Sequence, residues 1–173
     1  MTVAAIPQPQ GQSIPVGLGE VAVQRVDADQ PLVAHGLGSC IALCLYDPIS
    51  KVAGLAHIVL PGNDPQNAPN GKFAGNALPA LLQAMAKLGG AADPKRLHAR
   101  IAGGAHVLAI GGTGSLPRIG DKNAEAVKAA LAAASVKVLA ADIGGGKGRT
   151  VWFHPRDGGR IRVRTVGGAE VEL

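Results

Sequence analysis

Gly36-Leu37-Gly38-Ser39-Cys40 runs directly into the apolar stretch of residues 41–46. Two glycines let a backbone turn sharply and approach a ligand without side-chain obstruction. Such a turn also leaves consecutive N–H groups free to converge, as stabilising a tetrahedral oxyanion requires. Gly38 and Ser39 are the candidates for that loop. Cys40 stands where the loop enters a strand, and a thiolate held on a rigid element is a strong nucleophile near neutral pH. A thiol nucleophile needs a base, and the histidines are His35, His57, His98, His106 and His154. His57 lies in Gly54-Leu55-Ala56-His57-Ile58-Val59-Leu60-Pro61, seventeen residues after Cys40, in the run expected to pair with residues 41–46 as a hairpin. The competing reading makes Cys40 a small buried hydrophobe and His57 a satisfied core histidine.

The other reactive residue types point elsewhere. Cys44 follows four residues after Cys40, about 13 Å along an extended strand. A disulfide tolerates no more than about 7 Å between Cα atoms, so Cys44 is expected to be packing rather than a partner. No second cysteine pair or histidine spacing completes a zinc site. Gly111-Gly112-Thr113-Gly114-Ser115 and Gly144-Gly145-Gly146-Lys147-Gly148-Arg149 lack nucleotide-loop spacing and read as turns. His98 and His106 are expected to be exposed or capping, and Asp142 and Arg149 to pair.

The elements that must position Cys40 and His57 follow from periodicity and punctuation. Residues 1–13 read as a mobile tail and 14–173 as one domain. Strand-like runs cover 16–26, 31–33, 41–46 and 52–60, with a turn at Asp47-Pro48 and a surface loop over 62–72. Helical spacing of Leu78, Leu81, Leu82, Met85 and Leu88 predicts a helix over 76–88, its start placed by Pro79 in the first turn. A strand at 97–102 and a helix at 123–135, N-capped by Asp121 or Asn123, come next. Strands at 137–141, 149–154 and 160–166 close the chain, with room for a strand stub after the last. Two helices among many short strands predict an α/β (α+β) layered sandwich.

Composition bounds the function. The 173 residues hold two cysteines and four aromatic residues, with a net charge of +5. No apolar run approaches the ~20 residues that cross a bilayer, and residues 1–10 lack the features of a signal peptide, so a cytoplasmic protein without membrane insertion is expected. The charge is uneven: residues 1–71 carry −3 and residues 72–173 carry +8. Few aromatic residues, Trp152 and Phe153 among them, offer stacking surfaces in the basic half, which argues against nucleic acid as a partner.

An ordered set of motifs resembles the CheD family, the chemoreceptor glutamine deamidases of bacterial and archaeal chemotaxis. Its marks are Gly17-Leu18-Gly19-Glu20, Leu37-Gly38-Ser39-Cys40 leading to Tyr46-Asp47, and Ala56-His57 ending in Leu60-Pro61. Further marks are Ile101-Ala102-Gly103-Gly104-Ala105, Ile119-Gly120 with Asn123, and Asp142-Ile143-Gly144-Gly145 with Gly148-Arg149. The resemblance spans residues 17–171. It implies a fold like the catalytic domain of cytotoxic necrotizing factor toxins, Cys40 as nucleophile and His57 as base, and no metal or organic cofactor. It implies as substrate the cytoplasmic helices of methyl-accepting chemoreceptors, whose glutamines become glutamates, and also hydrolysis of their glutamyl methyl esters. It implies docking onto CheC, a phosphatase of the phosphorylated response regulator CheY, and hence an alternative role as a regulatory binding module. Family members often carry Thr six residues before the nucleophile to orient the base. Ala34 stands there, leaving His35, Ser39 or a backbone carbonyl for that task. Arg160, Arg162 and Arg164 share one strand face, expected to be either a charge-protected edge strand or an electrostatic guide for acidic receptor helices.

Overall fold

The computed structural model describes residues 12–90, 93–107 and 118–173. Most of the expected tail and the 111–115 glycine stretch therefore lie outside the described residues. One five-stranded sheet has the order β1 (Ile14–Pro15), β3 (Leu32–Leu37), β8 (Arg149–Phe153), β9 (Ile161–Thr165) and β10 (Glu170–Glu172). The second has the order β2 (Val21–Arg25), β5 (Val52–Ile58), β4 (Ile41–Asp47), β6 (His98–Gly103) and β7 (Lys137–Ile143). Helices α1 (Ala74–Lys87) and α2 (Ile119–Ala133) cover the outer face of the second sheet. The result is the expected α+β sandwich in three layers: sheet, sheet, helices.

β4 shows why the layers stack this way. All seven of its residues are buried, as befits a central strand covered on both faces. Side chains alternate across a strand, so Ile41, Leu43 and Leu45 pack with Leu78, Leu81 and Met85 of α1 and Val127 and Leu131 of α2. Ala42, Cys44 and Tyr46 instead face the first sheet, among Leu32, Leu37, Val151, Phe153 and Val163. Each large aliphatic side chain removed from water in these two layers contributes about 2 kcal/mol.

Four expectations need correction. The 16–26 run is a strand only over β2 in the second sheet; β1, just before it, belongs to the first sheet, and residues 16–20 carry the chain across between them. α1 starts at Ala74 rather than at 76, because the N–H groups of Ala74 and Gly75 donate to Leu60 and Gly62 carbonyls (2.9 and 2.8 Å). Those bonds satisfy orphan donors at the helix start, so Pro79 falls in the second turn, at the loss of one helical bond. α2 starts at Ile119 after Arg118, so neither Asp121 nor Asn123 is its N-cap. Finally, β9 is not an edge strand, since β10 pairs along it. Arg160 and Arg162 bind Glu172 and Glu170 of that neighbour (2.7 and 3.0 Å), and Arg164 lies over the Trp152 ring at 4.9 Å. The stripe is largely neutralised by its own sheet. No described helix is long and apolar enough to cross a membrane.

Candidate active site

Cys40 and His57 are brought together by the register of one hairpin. Ile41 pairs with Ile58 and Ala42 with His57, in an antiparallel ladder that ends at Ile41. Cys40 lies one residue beyond the last rung. Its side chain lies toward the face of Ala42 and His57, just past the end of the ladder. That face is the interface between the two sheets, and the half-buried Cys40 packs against its cluster. None of the other described histidines occupies that face of the hairpin. His35 is exposed, and His98 sits at the far end of β6.

His57 is 2% exposed and is held on every side. Its N–H donates to the Glu20 carbonyl at 3.1 Å, and its own carbonyl accepts from Gly19 at 2.9 Å. Its ring Nδ1 lies 3.0 Å from the Val16 carbonyl oxygen. A carbonyl only accepts, so Nδ1 carries the proton of the neutral ring and Nε2 presents a bare lone pair. Nε2 is buried without a hydrogen-bond partner among the described residues. The Val16 N–H in turn donates to Val33 of β3 at 2.8 Å, so this one residue ties the imidazole of the second sheet to the first. The group that meets Nδ1 is thus a backbone carbonyl, the kind of partner left as one of three alternatives where Ala34 replaces the expected Thr. Ala34 itself is fully buried in the same inter-sheet cluster.

The Cys40 loop is pinned by its carbonyls. Gly38 O accepts from Ala105 N at 2.7 Å, Cys40 O from Gly104 N at 2.8 Å, and Ser39 O from Asn123 Nδ2 at 2.8 Å. The Gly38 N–H is committed to Gly36 O at 2.9 Å, which leaves the Ser39 and Cys40 N–H groups as the loop's candidate oxyanion donors. The clamp from residues 103–105 needs glycine. Gly103 sits at φ +121, where a side chain would be strained, and a Cβ there would fall 2.1 Å from the Cys40 carbonyl oxygen. Gly120 of α2 is equally confined, with Gly104 O only 2.5 Å from any Cβ. A second bolt crosses the sheets nearby, where Arg149 of β8 forms a two-pronged ion pair with Asp142 of β7 at 2.9 and 3.1 Å. This is the pairing expected from sequence.

Burial pushes the Cys40 thiol up from its ordinary range, and its own backbone N–H offsets this only in part. The resting group is therefore a neutral thiol that needs a base to become a nucleophile. Burial raises the Cys44 thiol much further, with the nearby Arg100 guanidinium opposing it. Cys44 is 1% exposed and packs as expected, and both cysteines are free. His106 is half-buried, with Nε2 2.9 Å from Asp121 in the first turn of α2. At the mouth of the site the exposed Val107 reaches over Gly38, its Cγ2 3.3 Å from where a Cβ would sit.

Two contacts made here, by the Val16 carbonyl and the Asn123 amide, were not foreseen from sequence. The Val16 carbonyl carries no side-chain signature at all. Asn123 did leave one: it is a polar residue on the buried stripe of Gly120, Ala124, Val127 and Leu131.

Comparison with known proteins places the chain among relatives of one family. The family model described as CheD chemotactic sensory transduction matches residues 59–165. The chain is 42% identical over 161 residues to a probable chemoreceptor glutamine deamidase CheD of Symbiobacterium thermophilum, covering 91% of this chain and 95% of that one. It is 39% identical over 155 residues to the chemoreceptor glutamine deamidase CheD of Thermotoga maritima, covering 90% and 93%. Similarity to a probable chemoreceptor glutamine deamidase CheD of Archaeoglobus fulgidus is 39% over 161 residues, covering 93% and 98%.

Proposed function

This chain belongs to the CheD family, and from that premise we propose that it hydrolyses the side-chain amides of glutamines on methyl-accepting chemoreceptors, using Cys40 and His57. The observation that carries the proposal is the fixed imidazole. Nδ1 is engaged by Val16 O, and the free Nε2 lies on the inter-sheet face that Cys40 shares. In the first step Nε2 takes the Cys40 proton and the sulfur attacks the carboxamide carbon of a glutamine. The carbonyl oxygen becomes an oxyanion facing the Ser39 and Cys40 N–H groups, donors worth about 3 kcal/mol each where similar ones have been removed. The imidazolium then returns its proton to the amide nitrogen, the C–N bond breaks and ammonia leaves. Water, deprotonated by Nε2, attacks the remaining thioester. The C–S bond breaks, releasing glutamate and restoring the thiol.

The oriented tautomer supports the base role physically. An imidazole whose Nδ1–H is held aims Nε2 without an entropic penalty at each turnover. The raised thiol makes that base necessary rather than optional. The substrate would be the cytoplasmic helices of the receptor, which places the protein in the cytoplasm. The regulatory alternative, docking onto CheC, draws its support from Ala34 standing where the family resemblance expects Thr. Receptor turnover without CheC separates the two.

The test is incubation with a receptor cytoplasmic fragment, reading ammonia and the Gln-to-Glu mass change in receptor peptides. Wild type is expected to convert specific glutamines. Cys40→Ala should release none, and His57→Gln should be slower by at least about 100-fold. Continued conversion by Cys40→Ala would overturn the assignment. Absent turnover together with tight CheC binding would establish the regulatory role instead.

A further inference from the structure

Asn123 is fully buried, one turn into α2, yet both hydrogens of its side-chain amide leave the helix. Nδ2 donates to Ser39 O at 2.8 Å and to Val59 O at 3.0 Å. These two acceptors are special in the hairpin. Ser39 immediately precedes Cys40, and Val59 immediately follows Ile58, the last rung, two residues beyond His57. The β4–β5 ladder has already ended at Ile41 and Ile58, and past it the two chains part company. Val59 and Leu60 both turn their N–H groups to Lys72 O at 2.9 Å, and residue 39 bends away toward β3. Beyond its last rung a strand pair frays unless something replaces the missing bonds. The Asn123 amide spans the gap that the ladder leaves open.

We propose that Asn123 is a positioning residue: its amide is the side-chain rung that fixes the spacing between Cys40 and His57 for proton transfer. This role rests on the Cys40–His57 reading of the site. Only a side chain with two donors on one atom bridges two carbonyl oxygens in this way. The remaining Oδ1 is buried without a partner among the described residues, so the bridge is retained despite an unsatisfied acceptor. Because Asn123 is 0% exposed, it acts through the strand ends and not on substrate.

The experiment uses Asn123→Ala and the equal-volume Asn123→Asp, which puts oxygens against two carbonyl oxygens. Deamidation kinetics on receptor fragment should show kcat lower by about 10-fold to 100-fold, the scale of a 1 Å misplacement, with KM within about twofold. A substrate-free reading follows Cys40 carboxamidomethylation against pH, with Cys44 silent because it is buried. The Asn123 variants should move that profile toward the one given by His57→Ala. Lower melting temperature with kcat and the alkylation profile at wild-type values would overturn the role, as would a raised KM with kcat intact. A wild-type profile unmoved by His57→Ala would refute the Cys40–His57 pair and this role together. A profile moved by His57→Ala but not by the Asn123 variants would refute the role alone. Should both variants fail to fold, hydrogen exchange on the native chain decides: the two Nδ2 protons should exchange slowly, and free-amide rates would overturn the bridge.

Discussion

Asp47 anchors the far end of the hairpin that carries the site, and its titration can be worked from the structure. The carboxylate is completely buried, accepting from Arg96 Nη2 at 2.6 Å, the Ser50 hydroxyl at 2.5 Å and the Ile49 N–H at 3.0 Å. Burial alone would push this carboxyl up. The Arg96 guanidinium, the Ser50 hydroxyl and the Ile49 and Ser50 N–H groups outweigh it and hold the group at about 2, against an ordinary 3.8. A folded-state value below the unfolded one stabilises the native chain at pH above the unfolded value, and that contribution is lost as pH falls through the folded value. The difference is worth about 2 kcal/mol at neutral pH and vanishes between pH 3.8 and 2. Asp47→Asn should therefore lower the urea midpoint by about 1 M at pH 7, taking a slope of about 2 kcal/mol per M. The gap between variant and wild type should close as pH approaches 2. Asp47 stands seven residues, about 23 Å, from Cys40 along one strand, so kcat of the folded variant should match wild type. A gap of the same size at pH 7 and pH 2.5, or one below about 0.5 kcal/mol at pH 7, would show that the carboxylate is not held by these partners.

Two further outcomes test how the site is held. Ala34→Thr introduces a hydroxyl on the inter-sheet face, but Val16 O already holds Nδ1, so kcat for receptor deamidation should change by less than about threefold while overpacking costs about 1 kcal/mol in a denaturant melt. A gain above about 10-fold would mean that the carbonyl leaves the imidazole poorly oriented. Gly120→Ala puts a methyl 2.5 Å from Gly104 O and should cost about 1–3 kcal/mol of stability and lower kcat, because the strap that binds Cys40 O must shift. Wild-type kcat in that variant would separate the strap from the positioning of Cys40.

The candidate residues Cys40 and His57 stood out in sequence because their signals are local. Glycines before Cys40 imply a turn into a strand, and two apolar runs joined by Asp47-Pro48 imply a hairpin. Only the register of that hairpin, Ala42 against His57, then puts His57 on the inter-sheet face against which Cys40 packs. The core stripe of α1 followed from spacing in the same way, and Cys44 was readable as packing from its distance along the strand.

What tertiary structure alone decided is how those residues are held. Val16 lies forty-one residues before His57 and contributes a carbonyl, a group every residue carries. Asn123 looked like a cap because Asn near a helix start usually caps. It bridges two strands instead because α2 begins four residues earlier and turns that position inward. The arginine stripe looked like an exposed edge because a short terminal strand carries no sign of which neighbour it pairs with, yet three residues of β10 pair with β9 and bring two glutamates against the charges. Side-chain identity and spacing specify what a segment can do within one element. Which carbonyl meets a ring, or which strand covers another, depends on layers packed from distant parts of the chain, and backbone groups leave no trace of that in the sequence.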